Sequence, residues 1–212
     1  MNAMITAHSG CDDLAMNSEE YIHHALTLKV DALEVDVRRG FNNSLILTHN
    51  PPEHGQVYIT LREAFSLVRD SLVKVNCDLK EPGLERDVLD LAGFCGLERE
   101  RLIFTGTLTD WREKPEGCNV WLNPEEICAD FYAGRQNIDE VTTLAARYGY
   151  GVINIDYRCV NEHVIASARA HGLKLSLWTI DDPHQIIHSS RIINITTNYP
   201  SRIGESLYMS RT

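Results

Sequence analysis

The chain has 212 residues, enough to bury a sizeable core, and we interpret residues 1–212 as one domain. No apolar run is long enough to cross a bilayer, so no membrane span is predicted. The formal net charge of −10 makes nucleic acid and anionic membrane surfaces poor partners, and an anionic substrate would need a local positive centre.

The N-terminal segment lacks the basic region and long apolar stretch of a secretory signal, so the cytoplasm is the expected location. Six cysteines occur singly, without a C-x-x-C pair. This spacing predicts reduced and mostly buried thiols.

Short apolar runs alternate with helix-length segments from one end of the chain to the other, which is typical of a parallel α/β sheet. The predicted strands are Met4–Ala7, Ala32–Val37, Val73–Leu79, Leu102–Thr105, Val120–Leu122, Val152–Ile155, Leu173–Trp178 and Ile192–Thr196, with a short extra one at Leu45–Thr48. The predicted helices are Glu19–Leu28, Leu61–Asp70, Leu84–Gly93, Ile138–Tyr148, Asn161–Ala170 and Pro183–His188. No G-x-G-x-x-G follows the first strand, which disfavours an open dinucleotide-binding sheet. We therefore predict an α/β fold, a compact (β/α)8 TIM barrel.

Charged side chains follow the predicted strands at the end where a barrel carries its functional residues. Glu34 and Asp36 share one face of the second strand, and Asp78 and Lys80 share one face of the third, because side chains alternate along a strand. Three facing carboxylates would repel one another and would be costly to desolvate. A bound divalent cation would reduce both unfavourable contributions. Oxygen ligands favour Mg²⁺ or Ca²⁺. The alternative is that Glu34 and Asp36 are solvated and that Asp78 only pairs with Lys80.

Two histidines stand at strand ends as well. His8 follows the first strand directly, and His49 follows the short Leu45–Thr48 strand. Either alone is as consistent with a structural role as with a catalytic one. Together with the acidic cluster they supply what phosphodiester cleavage requires, namely a metal for the phosphoryl oxygens and two imidazoles for proton transfer.

The ordered motifs resemble those of the glycerophosphodiester phosphodiesterase family. They are Ala7-His8-Ser9-Gly10, Met16-Asn17-Ser18, Glu34-Val35-Asp36-Val37, Thr48-His49-Asn50, Asp78-Leu79-Lys80, Leu177-Trp178-Thr179 and Thr196-Thr197-Asn198-Tyr199-Pro200, which span nearly the whole chain. Three positions depart from the family pattern. Ser9 replaces an arginine, Met16-Asn17-Ser18 replaces Glu-Asn-Thr, and Asp78 replaces a common glutamate.

The resemblance implies a (β/α)-barrel phosphoric diester hydrolase that releases sn-glycerol 3-phosphate and an alcohol from a small-molecule phosphodiester. It implies these roles: His8 and His49 as the acid–base pair, Glu34, Asp36 and Asp78 as ligands of Mg²⁺ or Ca²⁺, Lys80 as a phosphate contact, and Trp178 as a wall of the substrate pocket. Ser9 is expected to offer the substrate one neutral hydrogen bond, where an arginine guanidinium would donate two charged ones.

Two other functions remain open. A sphingomyelinase D-like barrel can also carry an aspartate as its third acid, and a catalytically silent barrel that binds a phosphorylated ligand is suggested by the missing arginine. His184 and His188 have zinc-ligand spacing, but the glutamate of H-E-x-x-H is absent. Asn154 and Asp156 either line the barrel mouth or, for Asp156, cap a helix. The released alcohol and the oligomeric state are not predicted.

Overall fold

The strands and helices form a nearly closed barrel in the computed structural model, which describes residues 3–134 and 137–209. The strands are β1 (Met4–Ala7), β2 (Ala32–Arg39), β3 (Leu45–Leu47), β4 (Lys74–Leu79), β5 (Leu102–Gly106), β6 (Trp121–Leu122), β7 (Val152–Asp156), β8 (Lys174–Trp178) and β9 (Ile192–Thr197). The helices are α1 (Glu19–Thr27), α2 (Leu61–Val68), α3 (Glu85–Cys95), α4 (Pro124–Ile127), α5 (Ile138–Arg147), α6 (Glu162–Ala170) and α7 (Pro200–Met209).

Eight of these strands are parallel and follow the order β5-β4-β2-β1-β9-β8-β7-β6. A further parallel bridge, between Phe104 and Val120, joins β5 to the segment leading into β6. The ninth strand, β3, pairs antiparallel with the end of β2. The predicted (β/α)8 TIM barrel is confirmed, including the short extra strand.

The helix predictions are confirmed with one exception. Residues 183–188 do not form an α-helix but a single 3₁₀ turn, Pro183–Gln185, after which Ile186 is extended. Adjacent β-branched residues, Ile186 and Ile187, disfavour continued helix. Two helices were not predicted, α4 and α7, and each begins with a proline at its first residue, a position that suits proline's fixed φ.

The barrel has a layered interior. Trp121, Ile103 and Val152 form part of a small buried apolar cluster at the amino ends of the strands. Above it, Asn194 accepts a hydrogen bond from the Thr6 hydroxyl at 2.7 Å and is fully buried. The acidic residues lie beyond this layer, at the carboxyl ends. The interior therefore becomes increasingly polar towards the predicted site.

The main apolar core lies between the sheet and the surrounding helices. Val35 and Leu79 point towards the helices and are fully buried in it. Their neighbours along the strands therefore face the barrel interior. Cys11, Cys77 and Cys118 are buried thiols. Within the described ranges, no helix is long and apolar enough to cross a membrane.

Candidate active site

The acidic residues of β2 and β4 converge at the carboxyl end of the barrel. Asp36 stands opposite Asp78 in the register of the two strands, and Glu34 lies two residues earlier on the same face. One carboxylate oxygen from each of the three residues lies within 4.8 Å of the others. Glu34 is 4% exposed and Asp36 is 2% exposed, so these two residues are not solvated strand-end charges.

Lys80 partly neutralises this cluster. Its Nζ lies 2.8 Å from Oδ1 of Asp36 and also contacts Oδ2 of Asp78. The predicted alternative, that Asp78 pairs with Lys80, is thus part of the structure. Burial by itself would lower the pKa of Lys80, but the two carboxylates raise it above its usual value. The ammonium is therefore charged and held between two of the three acids.

The cluster still carries excess negative charge. Burial raises the pKa of Glu34, and the neighbouring charges of Asp36 and Asp78 raise it further. Three ionised carboxylates with one ammonium would leave about two unbalanced negative charges, the amount that one divalent cation supplies. All three acids offer oxygen ligands, which suit Mg²⁺ or Ca²⁺. The residues present fit a divalent metal.

Neutral donors orient each carboxylate, as outer-shell partners commonly do for metal ligands. The Ser9 backbone N–H donates to Oε2 of Glu34 at 2.8 Å. The Thr105 hydroxyl donates to Oδ1 of Asp78 at 2.9 Å. Asn17 Nδ2 donates to Oδ2 of Asp36 at 2.7 Å, and its Oδ1 accepts from the Asp36 N–H.

Ser9 has a different environment from the one its predicted role requires. It is 2% exposed, it is not among the residues lining the cleft, and its hydroxyl lies 3.2 Å from Oδ2 of Asp36. Its predicted hydrogen bond to substrate therefore has no support in this geometry. Ser9 instead helps to fix the orientation of the two acids of β2.

The His8 imidazole is held in one tautomer. Its Nδ1 lies 2.9 Å from Oδ1 of Asn198, whose Nδ2 donates to Oδ2 of Asp181 at 2.8 Å. An ionised carboxylate only accepts hydrogen bonds, so the amide of Asn198 must turn its NH₂ to Asp181 and its oxygen to His8. His8 therefore donates from Nδ1. In the neutral ring, Nε2 is left with a lone pair, 4.0 Å from Oε2 of Glu34.

His49 is positioned by the β2–β3 hairpin. The backbone N–H of Thr48 donates to the carbonyl oxygen of Asp36 at 3.0 Å, and Arg38 Nε donates to the carbonyl oxygen of His49 at 3.1 Å. The ring is exposed, with Nδ1 3.4 Å from Oδ1 of Asp36. Because that carboxylate accepts, Nδ1 of His49 carries the proton and Nε2 has the lone pair.

A cleft of about 400 Å³ joins these groups. The predicted site residues that line it are His8, Glu34, His49, Asp78, Lys80 and Trp178. Asp36 lies beneath it, bonded to its neighbours. The structure thus brings together the two histidines, the three acids, the lysine and the tryptophan. His184 and His188 are not among the residues that line it, and the predicted helix carrying them is absent.

The cleft is also lined by residues at the start of α4 that the sequence analysis did not predict. Glu125, in α4, accepts from Asn123 Nδ2 through Oε1 at 3.1 Å, and Asn123 accepts from Asn154 Nδ2 at 2.9 Å. Asn154 lines the mouth of the cleft, the role predicted for it. Asp156 instead caps a 3₁₀ turn through a hydrogen bond from the Arg158 N–H. The segment Asn-Pro-Glu-Glu at 123–126 is a typical helix start and could have predicted α4.

The chain is a (β/α)8 barrel with carboxylates, imidazoles and a lysine at its strand ends, and it is similar to known phosphodiesterases. No protein-family model matches the chain. A curated relative, glycerophosphodiester phosphodiesterase GDPD4 of Arabidopsis thaliana, is 22% identical over 230 residues. That match covers 84% of this chain and 65% of the relative, so the chain spans about two thirds of the relative's length.

Solved structures have the same fold. A putative glycerophosphoryl diester phosphodiesterase from Agrobacterium tumefaciens superimposes with a TM-score of 0.79 at 16% identity, over 100% of both chains. A phosphodiesterase from Oleispira antarctica, solved with the product sn-glycerol-3-phosphate, gives 0.67 at 14% identity, over 97% of this chain and 96% of that one. The resemblance to glycerophosphodiester phosphodiesterases inferred from the motifs is confirmed.

Proposed function

We propose that this protein is a metal-dependent phosphodiester hydrolase that cleaves glycerophosphodiesters to sn-glycerol 3-phosphate and an alcohol. One observation carries the proposal. Three buried or half-buried carboxylates, Glu34, Asp36 and Asp78, meet beside two histidines whose Nδ1 atoms are both engaged. Such a site combines a cation position with two imidazole nitrogens able to transfer protons.

A divalent cation bound by Glu34, Asp36 and Asp78 would neutralise phosphoryl charge and polarise the P–O bonds. Lys80, already charged, extends this positive region along the cleft as a phosphate contact. In the proposed reaction one histidine Nε2 removes the proton from the attacking hydroxyl group, and the protonated form of the other gives a proton to the leaving alkoxide. The attacking group is either water or a neighbouring hydroxyl of the substrate.

The relatives support the choice of substrate. The Arabidopsis protein is named for glycerophosphodiester cleavage, and the Oleispira structure holds sn-glycerol-3-phosphate as product. The silent-barrel alternative is disfavoured because both histidines and all three acids are present and arranged around one cleft. A sphingomyelinase D-like activity differs in substrate and products, so product analysis separates it.

The test is product analysis with purified protein and Mg²⁺ or Ca²⁺. Candidate substrates are glycerophosphocholine, glycerophosphoethanolamine, glycerophosphoinositol, lysophosphatidylcholine and sphingomyelin. Phosphorus NMR is expected to show sn-glycerol 3-phosphate appearing from a glycerophosphodiester, with a transient cyclic phosphate if a substrate hydroxyl attacks first. Cleavage of sphingomyelin alone would favour the alternative barrel. If none of these substrates is cleaved, the result would favour the catalytically silent, ligand-binding barrel.

A further inference from the structure

Two buried polar atoms of residues that line the cleft have no hydrogen-bond partner among the described residues. They are Oε2 of Glu125 and Nε1 of Trp178, and both residues line the cleft. A buried donor or acceptor without a partner costs about 1–3 kcal/mol. Such atoms in a cleft are the natural contacts for a bound molecule.

The Glu125 carboxylate is fixed in its orientation. Its Oε1 is held by Asn123, which is held in turn by Asn154, so Oε2 is the oxygen left over. Burial raises the pKa of Glu125, in line with the place of this carboxylate inside the cleft. A donor supplied by a ligand would recover part of the cost of burying Oε2 without a partner.

Trp178 is also positioned by its surroundings. Its ring and that of Tyr132 meet edge to face, with the ring centroids 5.9 Å apart. Trp178 lies at the carboxyl end of β8, opposite Asp156 in the register with β7. The indole N–H can only donate a hydrogen bond, whereas an ionised Glu125 can only accept one.

The chemistry of the two atoms restricts the group that can satisfy both. A hydroxyl accepts from an indole N–H and donates to a carboxylate at the same time. A primary ammonium satisfies only the carboxylate, and a quaternary ammonium has no N–H to donate. An acyl chain satisfies neither. Adjacent hydroxyls on a short carbon chain offer the most complete fit.

We propose that Glu125 and Trp178 form a hydroxyl-recognition subsite that binds the polyol arm of the phosphodiester. The subsite rests on the proposed function for the position of the phosphate, which would lie against Lys80 and the cation held by the three carboxylates. Glu125 is then a specificity-determining residue. It selects substrates and products by their hydroxyl groups.

The test compares the binding of two phosphate monoesters by calorimetry, in the presence of Mg²⁺. sn-Glycerol 3-phosphate carries the two hydroxyls, and n-propyl phosphate has the same carbon chain without them. The wild-type protein is expected to bind the hydroxylated ligand about tenfold or more tightly, as hydrogen bonds to charged groups allow. No such preference in the wild-type protein would overturn the subsite.

Two variants test whether Glu125 and Trp178 cause the preference for sn-glycerol 3-phosphate over n-propyl phosphate. Because Asn123 holds the Oε1 side, Glu125→Gln would place its amide N–H₂ at the Oε2 position and replace an acceptor with a donor. Trp178→Phe removes the N–H and keeps an aromatic ring. Each is expected to reduce the preference to about threefold or less by weakening only glycerol 3-phosphate. A variant that leaves the ratio of the two affinities unchanged, whether or not both ligands bind more weakly, would contradict the assignment.

A matched control uses the neighbouring acid. Glu126 also lines the cleft, but its Oε2 already accepts from the Leu108 N–H at 3.1 Å. Glu126→Gln removes the same charge and should leave the ratio of the two affinities unchanged. The failure of the proposed function has a separate signature, since it would appear as no diester cleavage by the wild-type protein whatever the ratio of the monoester affinities.

Discussion

Asn198 accepts a hydrogen bond from Nδ1 of His8 at 2.9 Å and so fixes which nitrogen of that ring carries the proton. The amide is itself oriented by Asp181. We expect Asn198→Ala to lower kcat by about 10²–10⁴-fold with a small change in KM, because the ring loses both its orientation and its tautomer. Nitrogen NMR of the imidazole should show a mixture of tautomers. A full kcat together with an unaltered imidazole spectrum would contradict this role.

The two imidazoles should be individually necessary. His8→Ala and His49→Ala are each expected to lower kcat by about 10²–10⁴-fold without unfolding the protein. His171→Ala and His184→Ala are the controls, since neither residue lines the cleft. Steady-state kinetics and thermal unfolding of the four variants check this. If either cleft histidine proves dispensable in a stable variant, the two-imidazole mechanism is wrong.

Lys80 has two candidate roles that one variant can separate. As a phosphate contact it should contribute about 2–5 kcal/mol to transition-state stabilisation, so Lys80→Ala should lower kcat/KM accordingly at saturating metal. As a counter-ion to Asp36 and Asp78 it should oppose metal binding, so the same variant should bind the cation at least as tightly. Kinetics and metal titration are both needed. A loss in kcat/KM of less than a few-fold would leave only the counter-ion role.

Gly106 permits the close approach of β5 to Asp78. Its φ is +82°, and a Cβ at this position would lie 2.2 Å from the Leu79 carbonyl oxygen and 2.6 Å from Oδ1 of Asp78. Gly106→Ala should therefore cost more than about 3 kcal/mol of unfolding free energy, since strain and overlap add.

Gly83 is the matched control for this substitution. It has a similar φ of +85°, but no heavy atom lies within 4 Å of the point that an added methyl group would occupy, so Gly83→Ala should cost only about 1 kcal/mol. Denaturant unfolding measures both. Equal costs would mean that the backbone conformation alone, and not the close approach, requires the glycine at position 106.

The barrel could be predicted from sequence because its strands are short apolar runs separated by helices at regular intervals. Alternation along β2 and β4 also placed Glu34, Asp36 and Asp78 on one face, where the structure has them. Helix α4 was missed because four residues are too few to show helical periodicity. The predicted helix at 183–188 failed because the adjacent β-branched residues Ile186 and Ile187 disfavour helix after the first turn.

The hydrogen bonds that orient the site residues could not be predicted from the sequence pattern. Asn198 and Asn17 stand in motifs, but their roles depend on side chains 190 and 19 residues away, which pattern alone cannot pair. The environment of Ser9 also depends on a tertiary contact. Its place beside His8 suggested a substrate contact, whereas the fold turns its hydroxyl inward to Asp36. Tertiary hydrogen bonding, not spacing, decides these roles.

The central claim is that Glu34, Asp36 and Asp78 bind one divalent cation required for catalysis, and metal depletion tests it most directly. Exhaustive chelation should abolish glycerophosphodiester cleavage, and Mg²⁺ or Ca²⁺ should restore it while raising the thermal unfolding temperature. Glu34→Gln should respond to neither cation. Full activity of the wild-type protein after exhaustive metal removal would contradict the account.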